Sequence, residues 1–331
     1  MIALALAAAV IAAPLLYLRS IGLWGAREPG AETTVVVPRG AGTTRIGRVL
    51  EDRGVVASAL GFRIAAFLDG SADEIEAGSY TLDRNLTARA ALGELLEGPD
   101  REPFVNVTFP EGSWLTDFAH IVGRETHLSQ DRFLRLARGG GVPARLRPEG
   151  IDTLEGLLFP STYQVVRRDT PRSLLDRLVS ELERQMSSIE LRGVAEMGYS
   201  PYEVVIVASM VEAEARVPGD RRRIAAVIYN RLEADMMLGI DATVSYALGE
   251  HRESLSQEDL QVDSPYNTRR YGGLPPTPIG APGRAALEAA AAPADGDWLY
   301  YVVADCEGNH AFSESYEQFL EDKAAYRALT C

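Results

Sequence analysis

The sequence predicts an α+β protein with an N-terminal membrane anchor, a small α+β subdomain and a larger mixed α+β domain. Residues 1–18 carry no charged side chain and are followed by a polar chain. Short β-branched runs then alternate with amphipathic helical stretches, and no internal repeat is visible. With 331 residues, of which 46% are hydrophobic, the chain can form about two globular domains beyond an anchor.

The apolar N-terminal run predicts a single-pass attachment to the inner (plasma) membrane. Residues 1–18 are rich in Ala, Leu, Ile and Val, Arg19 ends the run, and Trp24 stands where an interfacial aromatic is expected. Eighteen apolar residues are just long enough to span a bilayer as a helix. A cleaved signal peptide is the alternative. In both cases we expect the rest of the chain outside the cytoplasm.

Residues 19–33 have the composition of a linker, and residues 34–100 predict a small α+β subdomain. A strand at 34–37 is followed by a helix capped by Thr43 or Thr44, a second helix beginning at Ser58, a strand at 78–82 and a third helix opened by Thr87. This unit resembles a LysM-type subdomain, a fold associated with glycan binding. A structural spacer is the alternative interpretation.

Residues 101–331 predict the larger domain. We expect strands at 105–109 and 298–303, and helices at 115–125, 129–137, 170–189, 201–216, 221–236, 284–292 and 315–328. The helix at 201–216 has the clearest start, because Ser200 is an N-cap, Pro201 occupies the first turn and Glu203 completes a capping box. It is apolar almost all round and is therefore expected to be buried. Asp220 is expected to cap the following helix.

Glu212 and Glu214 lie at the C-terminal end of that buried helix. Burial, the negative end of the helix dipole and the second carboxylate should all raise the pKa of a glutamate there. A carboxyl that keeps its proton near neutral pH is what a general acid requires. Two solvated glutamates at the point where the helix leaves the core are the alternative.

Composition excludes several classes of function. The net charge of −14 argues against sequence-independent binding of nucleic acid. The four histidines are too scattered for a zinc site, and Cys306 and Cys331 are either incidental or a disulfide. No G-x-S-x-G surrounds Ser209, so a serine hydrolase is not expected. We predict no metal and no organic cofactor.

Other polar residues are candidates for a substrate cleft. Asn230 and Arg231 lie beside an apolar helical stripe, where they could either hold two helices together or donate hydrogen bonds to a sugar. Tyr266 and Asn267 belong to a Gly/Pro-rich loop, 263–283, and long ordered loops are often functional. His310 is a lone histidine, a residue that is more often structural than catalytic.

In combination, these segments resemble the MltG (YceG-like) family of endolytic murein transglycosylases. The resemblance covers about residues 104–327 in family order, although Ala215 stands where a threonine is usual. The motifs are 154–163 (LEGLLFPSTY), 208–214 (ASMVEAE), 227–232 (VIYNRL), 241–249 (DATVSYALG), 266–268 (YNT), 273–279 (GLPPTPI), 282–283 (PG), 299–305 (LYYVVAD) and 310–312 (HAF).

The resemblance implies an extracytoplasmic enzyme that cleaves the β-1,4 bond between N-acetylmuramic acid and N-acetylglucosamine without water, leaving 1,6-anhydro ends and terminating nascent strands. It implies peptidoglycan strands as substrate and peptidoglycan synthases of the elongation or division machinery as partners. The rivals are a muramidase that uses Glu212 and Glu214 as a two-carboxylate pair and a non-enzymatic peptidoglycan-binding scaffold.

Helical geometry alone does not choose between the two glutamates, because they fall on opposite flanks of one helix face. The resemblance assigns catalysis to Glu214 and a supporting role to Glu212. It also implies a substrate-binding role for a wider set of residues, and we expect the first four of them to converge on one cleft with Glu214. The set is Asn230, Arg231, Tyr266, Asn267, Asp241 and His310.

Overall fold

The computed structural model describes residues 28–100, 103–252 and 254–329, together with residues 17, 19, 22 and 23. The chain divides into two compact units, Met1–Glu102 and Pro103–Cys331. The anchor predicted for residues 1–18 lies outside the described residues apart from Tyr17, and Trp24 also lies outside them. Among the residues that are described, no helix is both long enough and apolar enough to cross a bilayer.

Within residues 28–100, the N-terminal unit has an antiparallel pair of strands covered by three α-helices. Strands β1 (Glu32–Val37) and β2 (Gly78–Asp83) pair with Val35 opposite Tyr80. The helices are α1 (Thr43–Asp52), α2 (Ala59–Asp69) and α3 (Ala88–Leu96). Alternate residues of each strand face a core that includes Val35, Leu50, Phe62, Tyr80 and Leu92.

Two of these helices begin at the side chains that the sequence predicts. The Ser58 hydroxyl accepts from the amide N–H groups of Leu60 and Gly61, and the Thr87 hydroxyl accepts from that of Ala90. Such caps satisfy donors that the first helical turn leaves unpaired. Helix α1 has no side-chain cap, so the capping role predicted for Thr43 or Thr44 is wrong.

The larger unit is helical, with two small antiparallel sheets. Strand β3 (Phe104–Thr108) pairs with β4 (Thr162–Val166), and β5 (Tyr300–Val303) pairs with β6 (His310–Ser313). The helices are α4 (Leu115–Glu125), α5 (Gln130–Arg138), α6 (Pro171–Ser187), α7 (Arg192–Glu196), α8 (Pro201–Glu214), α9 (Arg221–Glu233), α10 (Asp241–Leu248), α11 (Arg284–Ala291) and α12 (Tyr316–Arg327).

Helix α8 runs through the core of this unit. Every residue from Val204 to Val211 is buried, and α9, α10 and α11 pack against the helix. Its start is the predicted capping box: the Ser200 hydroxyl accepts from the Glu203 amide N–H at 3.3 Å, and the Glu203 carboxylate accepts from the Ser200 amide N–H at 2.8 Å. The helix ends at Glu214, because Ala215 is extended.

The segment 154–163 is wedged against the Gly/Pro-rich loop. Gly156 has φ +69°, and a Cβ there would lie 2.2 Å from the Pro278 Cβ and 2.9 Å from the Gly280 carbonyl oxygen. Only glycine fits such a close approach in the left-handed region. Its neighbour Glu155 is buried.

The predicted α+β class is confirmed, and most predicted helices and strands of the larger unit lie within a few residues of their expected bounds. Strands β4 and β6 and helices α7 and α10 were not predicted. The capping role predicted for Asp220 is wrong. A 3-10 turn (Pro218–Asp220) precedes α9, so Asp220 already has helical backbone angles and its side chain caps nothing.

Candidate active site

A polar pocket of about 650 Å³ opens beside the C-terminal end of α8. Residues from α9, α10, β5, β6 and α12 complete its lining. Four of the residues singled out from the sequence lie in it, namely Glu214, Arg231, Asp241 and His310. A volume of this size can accommodate part of an extended ligand.

Glu214 reaches the pocket because α8 stops there. The apolar length of α8 is fixed in the core, and the chain leaves the helix directly after Glu214. The residue is half-buried, and one carboxylate oxygen (Oε2) accepts a hydrogen bond from the Tyr301 hydroxyl at 2.9 Å. Strand β5 therefore holds the last side chain of α8.

The surroundings of Glu214 raise the pKa of its carboxyl above the ordinary value. Burial is the largest cause, and the negative charge of Asp241 acts in the same direction. The hydrogen bond from Tyr301 and the nearby His310 and Arg269 oppose the rise without cancelling it. Burial and a neighbouring like charge both disfavour the carboxylate, so Glu214 is suited to hold a proton at higher pH than a free glutamate.

Glu212 lies against different residues and is not part of the pocket lining. Its Oε2 accepts from the Gly283 amide N–H at 3.0 Å, at the start of α11. Burial raises the pKa of this carboxyl too, and the charge of Glu111 adds to the rise. Glu212 thus joins the end of α8 to the start of α11. The two glutamates do not form a pair within one pocket.

His310 is held by the buried carboxylate of Asp220, a residue that the sequence predicts as a helix cap. Asp220 is only 1% exposed, and its Oδ2 accepts from both the His310 amide N–H, at 2.8 Å, and Nδ1, at 2.9 Å. Arg223 donates to the other oxygen at 3.0 Å. Because Nδ1 faces a carboxylate, it carries a proton, and this leaves Nε2 as the second polar atom of the ring.

Arg231 and Asp241 line the pocket, and each already has hydrogen-bond partners within the protein. Arg231 donates through Nε to the Leu299 carbonyl at 2.6 Å and through a terminal nitrogen to the Leu238 carbonyl at 2.5 Å. Asp241 pairs with Arg269 at 2.7 Å. Arg231 therefore shapes the pocket wall, whereas the exposed Asp241–Arg269 pair keeps polar groups at its mouth.

Asn230, Tyr266 and Asn267 do not line this pocket. Asn230 donates to the carbonyls of Gly296 and Trp298, and the buried Asn267 donates to those of Leu260 and Val262. Both amides therefore hold loops in place. Tyr266 contacts the Thr277 hydroxyl at 2.9 Å and packs beside the Tyr246 ring. The single cleft expected for these residues and Glu214 is not formed by their side chains.

Tyr301 and Asp220 contribute to the site and were not assigned to it from the sequence. Tyr301 is inside the segment 299–305, whose aromatic and β-branched residues indicate only a strand. Its pairing across the sheet, with Tyr301 opposite Phe312, sets its side chain toward α8. Nothing local to either residue indicates its partner, which is 87 positions away for Tyr301 and 90 for Asp220.

The fold and the pocket define a class: a mixed α+β protein whose site centres on one half-buried carboxyl held by a tyrosine. Within the described ranges, no three His, Cys, Asp or Glu side chains are grouped so that they could hold a metal ion. The sequence pattern of the YceG-like family matches residues 35–325, and the chain belongs to this family.

Known relatives agree with this assignment. An endolytic murein transglycosylase of Bacillus subtilis (strain 168) is 31% identical over 317 residues, which cover 90% of this chain and 86% of the relative. One of Streptococcus pneumoniae (strain ATCC BAA-255 / R6) is 30% identical over 312 residues, and the matched part spans 56% of that longer relative. The crystal structure of a putative YceG-like protein from Listeria monocytogenes aligns with a TM-score of 0.59 and 29% identity, covering 88% of this chain and 99% of that one.

Proposed function

We propose that this protein is an endolytic peptidoglycan lytic transglycosylase that cleaves the bond between N-acetylmuramic acid and N-acetylglucosamine inside glycan strands. The observation that carries the proposal is the carboxyl of Glu214, whose pKa is raised and which Tyr301 holds at the edge of an open polar pocket. The names of the relatives from B. subtilis and S. pneumoniae support the same reaction.

The proposed reaction uses Glu214 twice. The protonated carboxyl donates its proton to the glycosidic oxygen as the bond to C1 of N-acetylmuramic acid breaks. The resulting carboxylate takes the proton of the C6 hydroxyl of the same sugar, whose oxygen bonds to C1 and closes a 1,6-anhydro ring. Glu214 returns to its protonated form, and no water is consumed. A raised pKa favours the first step, and the hydrogen bond from Tyr301 stabilises the carboxylate between the steps.

The remaining pocket residues have binding and positioning roles in this proposal. His310, oriented by Asp220, offers Nε2 to a sugar hydroxyl, and the pair of Asp241 and Arg269 offers polar groups at the mouth. Arg231, Asn230, Tyr266 and Asn267 position the loops and strands that form the walls through the contacts given above. Glu212 fixes the end of α8 to α11.

A hydrolase acting at the same pocket is the second candidate. Asp241, rather than Glu212, is the second carboxylate in the lining, and its charge reaches Glu214 strongly enough to raise the pKa of that carboxyl. Ordinary glycosidases use two carboxylates, one of them activating water. Asp241 is already bound by Arg269, which leaves it less free to activate a water and favours the single-carboxyl reaction.

The proposal also covers where the enzyme acts. Peptidoglycan lies outside the cytoplasm, so residues 34–331 belong in the cell envelope, attached to the inner membrane through residues 1–18 and a linker at 19–33. The unit at 34–100 is proposed to be LysM-like and to bind glycan, and the unit at 101–331 to be catalytic. Peptidoglycan synthases are the proposed protein partners, because they supply the nascent strands that such an enzyme would terminate.

Digestion of purified glycan strands, followed by mass spectrometry of the new ends, tests the reaction. The wild-type protein should release 1,6-anhydro ends. Glu214→Gln should reduce the rate on the order of a hundredfold or more, as expected when general acid–base catalysis is removed. Glu212→Gln is the matched control, since it alters a carboxyl two residues away outside the pocket. Its cleavage rate should fall less than that of Glu214→Gln.

The products distinguish the alternatives. Reducing ends would establish a muramidase, and Asp241→Asn would then be expected to abolish activity. Strands bound but never cut, with equal binding by the Glu214→Gln variant, would establish a non-enzymatic scaffold. An inactive Glu212 variant beside an active Glu214 variant would reverse the catalytic assignment.

A further inference from the structure

The lining of the pocket contains five basic side chains, although the protein as a whole carries a net charge of −14. Three of them have partners within the protein. Arg231 donates to backbone carbonyls, Arg269 pairs with Asp241, and Arg252 pairs with Glu250 and Asp259 at 2.9 and 2.6 Å. The charges of Arg252 and Arg269 are thus compensated, and two of the three guanidinium nitrogens of Arg231 donate to backbone carbonyls.

The other two, Arg216 and Lys323, have no such compensation. Among the residues that the structure describes, neither forms a salt bridge within 4.0 Å. Lys323 is the only lysine of the sequence and is half-buried. A partly desolvated ammonium without a counter-charge is unfavourable, and a bound anion would offset that cost.

Both side chains contact neighbours that carry no negative charge, and Arg216 is exposed. The turn between β5 and β6 passes along the stem of Arg216, so that a Cβ at Gly308 would lie 3.3 Å from the Arg216 Cβ. The Lys323 ammonium lies 5.5 Å from the centroid of the Phe319 ring, a cation–π distance. A cation that already contacts a ring, as Lys323 does, loses less side-chain entropy when it binds an anion.

An aromatic cluster adjoins Lys323 and lines the same pocket as Arg216. Tyr300, Tyr316 and Phe319 have ring centroids 5.5 to 5.8 Å apart, and all three line the pocket. Tyr316 is 57% exposed. The cluster offers an apolar surface for small aliphatic groups in the same pocket as two positive charges without a counter-charge, and this combination fits a short peptide that carries carboxylates.

We propose that Arg216, Lys323 and this aromatic cluster form a subsite for the carboxylate-bearing peptide that muramic acid carries on its lactyl group. The inference rests on the proposed function, since Glu214 would act on the bond of that same sugar, and Arg216 follows Glu214 by two residues. Guanidinium and ammonium groups bind carboxylates through charge-assisted hydrogen bonds, and alanine methyl groups would pack on the rings.

Two forms of the substrate test the subsite kinetically: glycan strands with free peptide carboxylates, and the same strands after conversion of those carboxylates to primary amides with carbodiimide and ammonia. The wild-type protein should show a kcat/KM about tenfold or more higher on the acidic strands, the effect of one charge-assisted hydrogen bond. The ratio of kcat/KM on acidic strands to kcat/KM on amidated strands should fall toward one in Arg216→Gln and in Lys323→Gln. Arg327→Gln, on the same helix but outside the pocket lining, is the control and should keep it. A ratio of one in the wild type, or an unchanged ratio in both variants, overturns the proposal.

A binding measurement separates this proposal from the proposed function. Reductive methylation with ¹³C-formaldehyde labels Lys323 as the only lysine, besides the chain's amino terminus, and keeps its charge. In the Glu214→Gln protein, the methyl resonance of Lys323 should shift on addition of acidic strands and shift far less with amidated strands. Cleavage by the wild type without any shift would refute the subsite alone. A selective shift without cleavage by the wild type would keep the subsite and refute the enzyme.

Discussion

Glu212 and Glu214 are separated by about 200° around α8, which sets them against different neighbours. Glu212 meets a backbone amide at the start of α11, and Glu214 meets a phenol hydroxyl on β5. Burial raises the pKa of both carboxyls, so the pKa alone does not distinguish them. The distinction lies in access to the pocket, which only Glu214 has.

Tyr301→Phe tests how the hydroxyl acts on Glu214. The hydrogen bond lowers the pKa of Glu214, so its removal should raise that pKa further and move the alkaline limb of the kcat/KM profile to higher pH. The maximal rate should fall about tenfold or more, because the carboxylate formed midway loses its donor. The measurement is the pH dependence of anhydro product release.

A matched control for this variant is Tyr199→Phe, which removes a phenol hydroxyl from the same unit outside the pocket lining. Its profile should follow that of the wild type. If Tyr301→Phe lowers the rate but leaves the alkaline limb in place, the hydroxyl does not set the protonation of Glu214.

At the scale of elements, the start of α8 can be predicted from the sequence, whereas the contacts at its C-terminal end cannot. The Ser-Pro-x-Glu start needs only local backbone donors, so the sequence reveals it. The other end depends on contacts with β5 and α11, whose residues are 70 or more positions away. Asp220 fails as a predicted cap for the same reason, since a distant strand, β6, uses its carboxylate.

Ser200→Ala should destabilise the protein by about 1 kcal/mol, because the first turn of α8 loses its side-chain acceptor. The rate of strand cleavage well below the unfolding temperature should stay within about twofold, since Glu214 is held at the far end by contacts that the cap does not touch. Urea unfolding measures the first effect. Ser187→Ala is the control: this hydroxyl only bonds the Arg184 carbonyl within its own helix, and its loss should be neutral. A large loss of activity with unchanged stability would contradict the view that the cap at the start of α8 does not affect Glu214 at its end.

For the whole molecule, the sequence predicts the α+β class, the bounds of most helices and the four pocket residues that resemblance to a family supplies. It does not predict which polar motif residues are structural. Asn230 and Asn267 have the same side-chain chemistry as sugar ligands, yet both donate to backbone carbonyls. Whether such an amide donates to a sugar or to a backbone carbonyl depends on how the loops fold around it.

Glu155 is another polar motif residue whose role is structural. It is 5% exposed, and its carboxylate accepts from the Leu115 amide N–H at 2.9 Å and from the Tyr246 hydroxyl at 3.0 Å. It therefore joins the loop at 154–163 to the start of α4 and to α10. Burial raises its pKa to about 7, against an ordinary value of 4.5, even though both hydrogen bonds and the charge of Arg138 oppose the rise.

This buried carboxyl should make the stability of the larger unit depend on pH. Below about pH 4.5 Glu155 is protonated in both states, whereas between pH 4.5 and 7 only the folded state holds the proton. Stability should therefore fall as pH rises through this window, by about 3 kcal/mol in total. Glu155→Gln keeps the shape without titrating: its amide oxygen can accept from the Leu115 N–H, and its NH2 group can donate to the Tyr246 hydroxyl oxygen. The wild type should therefore lose stability relative to this variant between pH 5 and pH 8. Urea unfolding can be followed by tryptophan fluorescence, because two of the three tryptophans, Trp114 and Trp298, lie in this unit; Trp24→Phe in both proteins removes the signal of the third. Equal pH dependence of the two proteins would mean that Glu155 keeps an ordinary pKa in the fold.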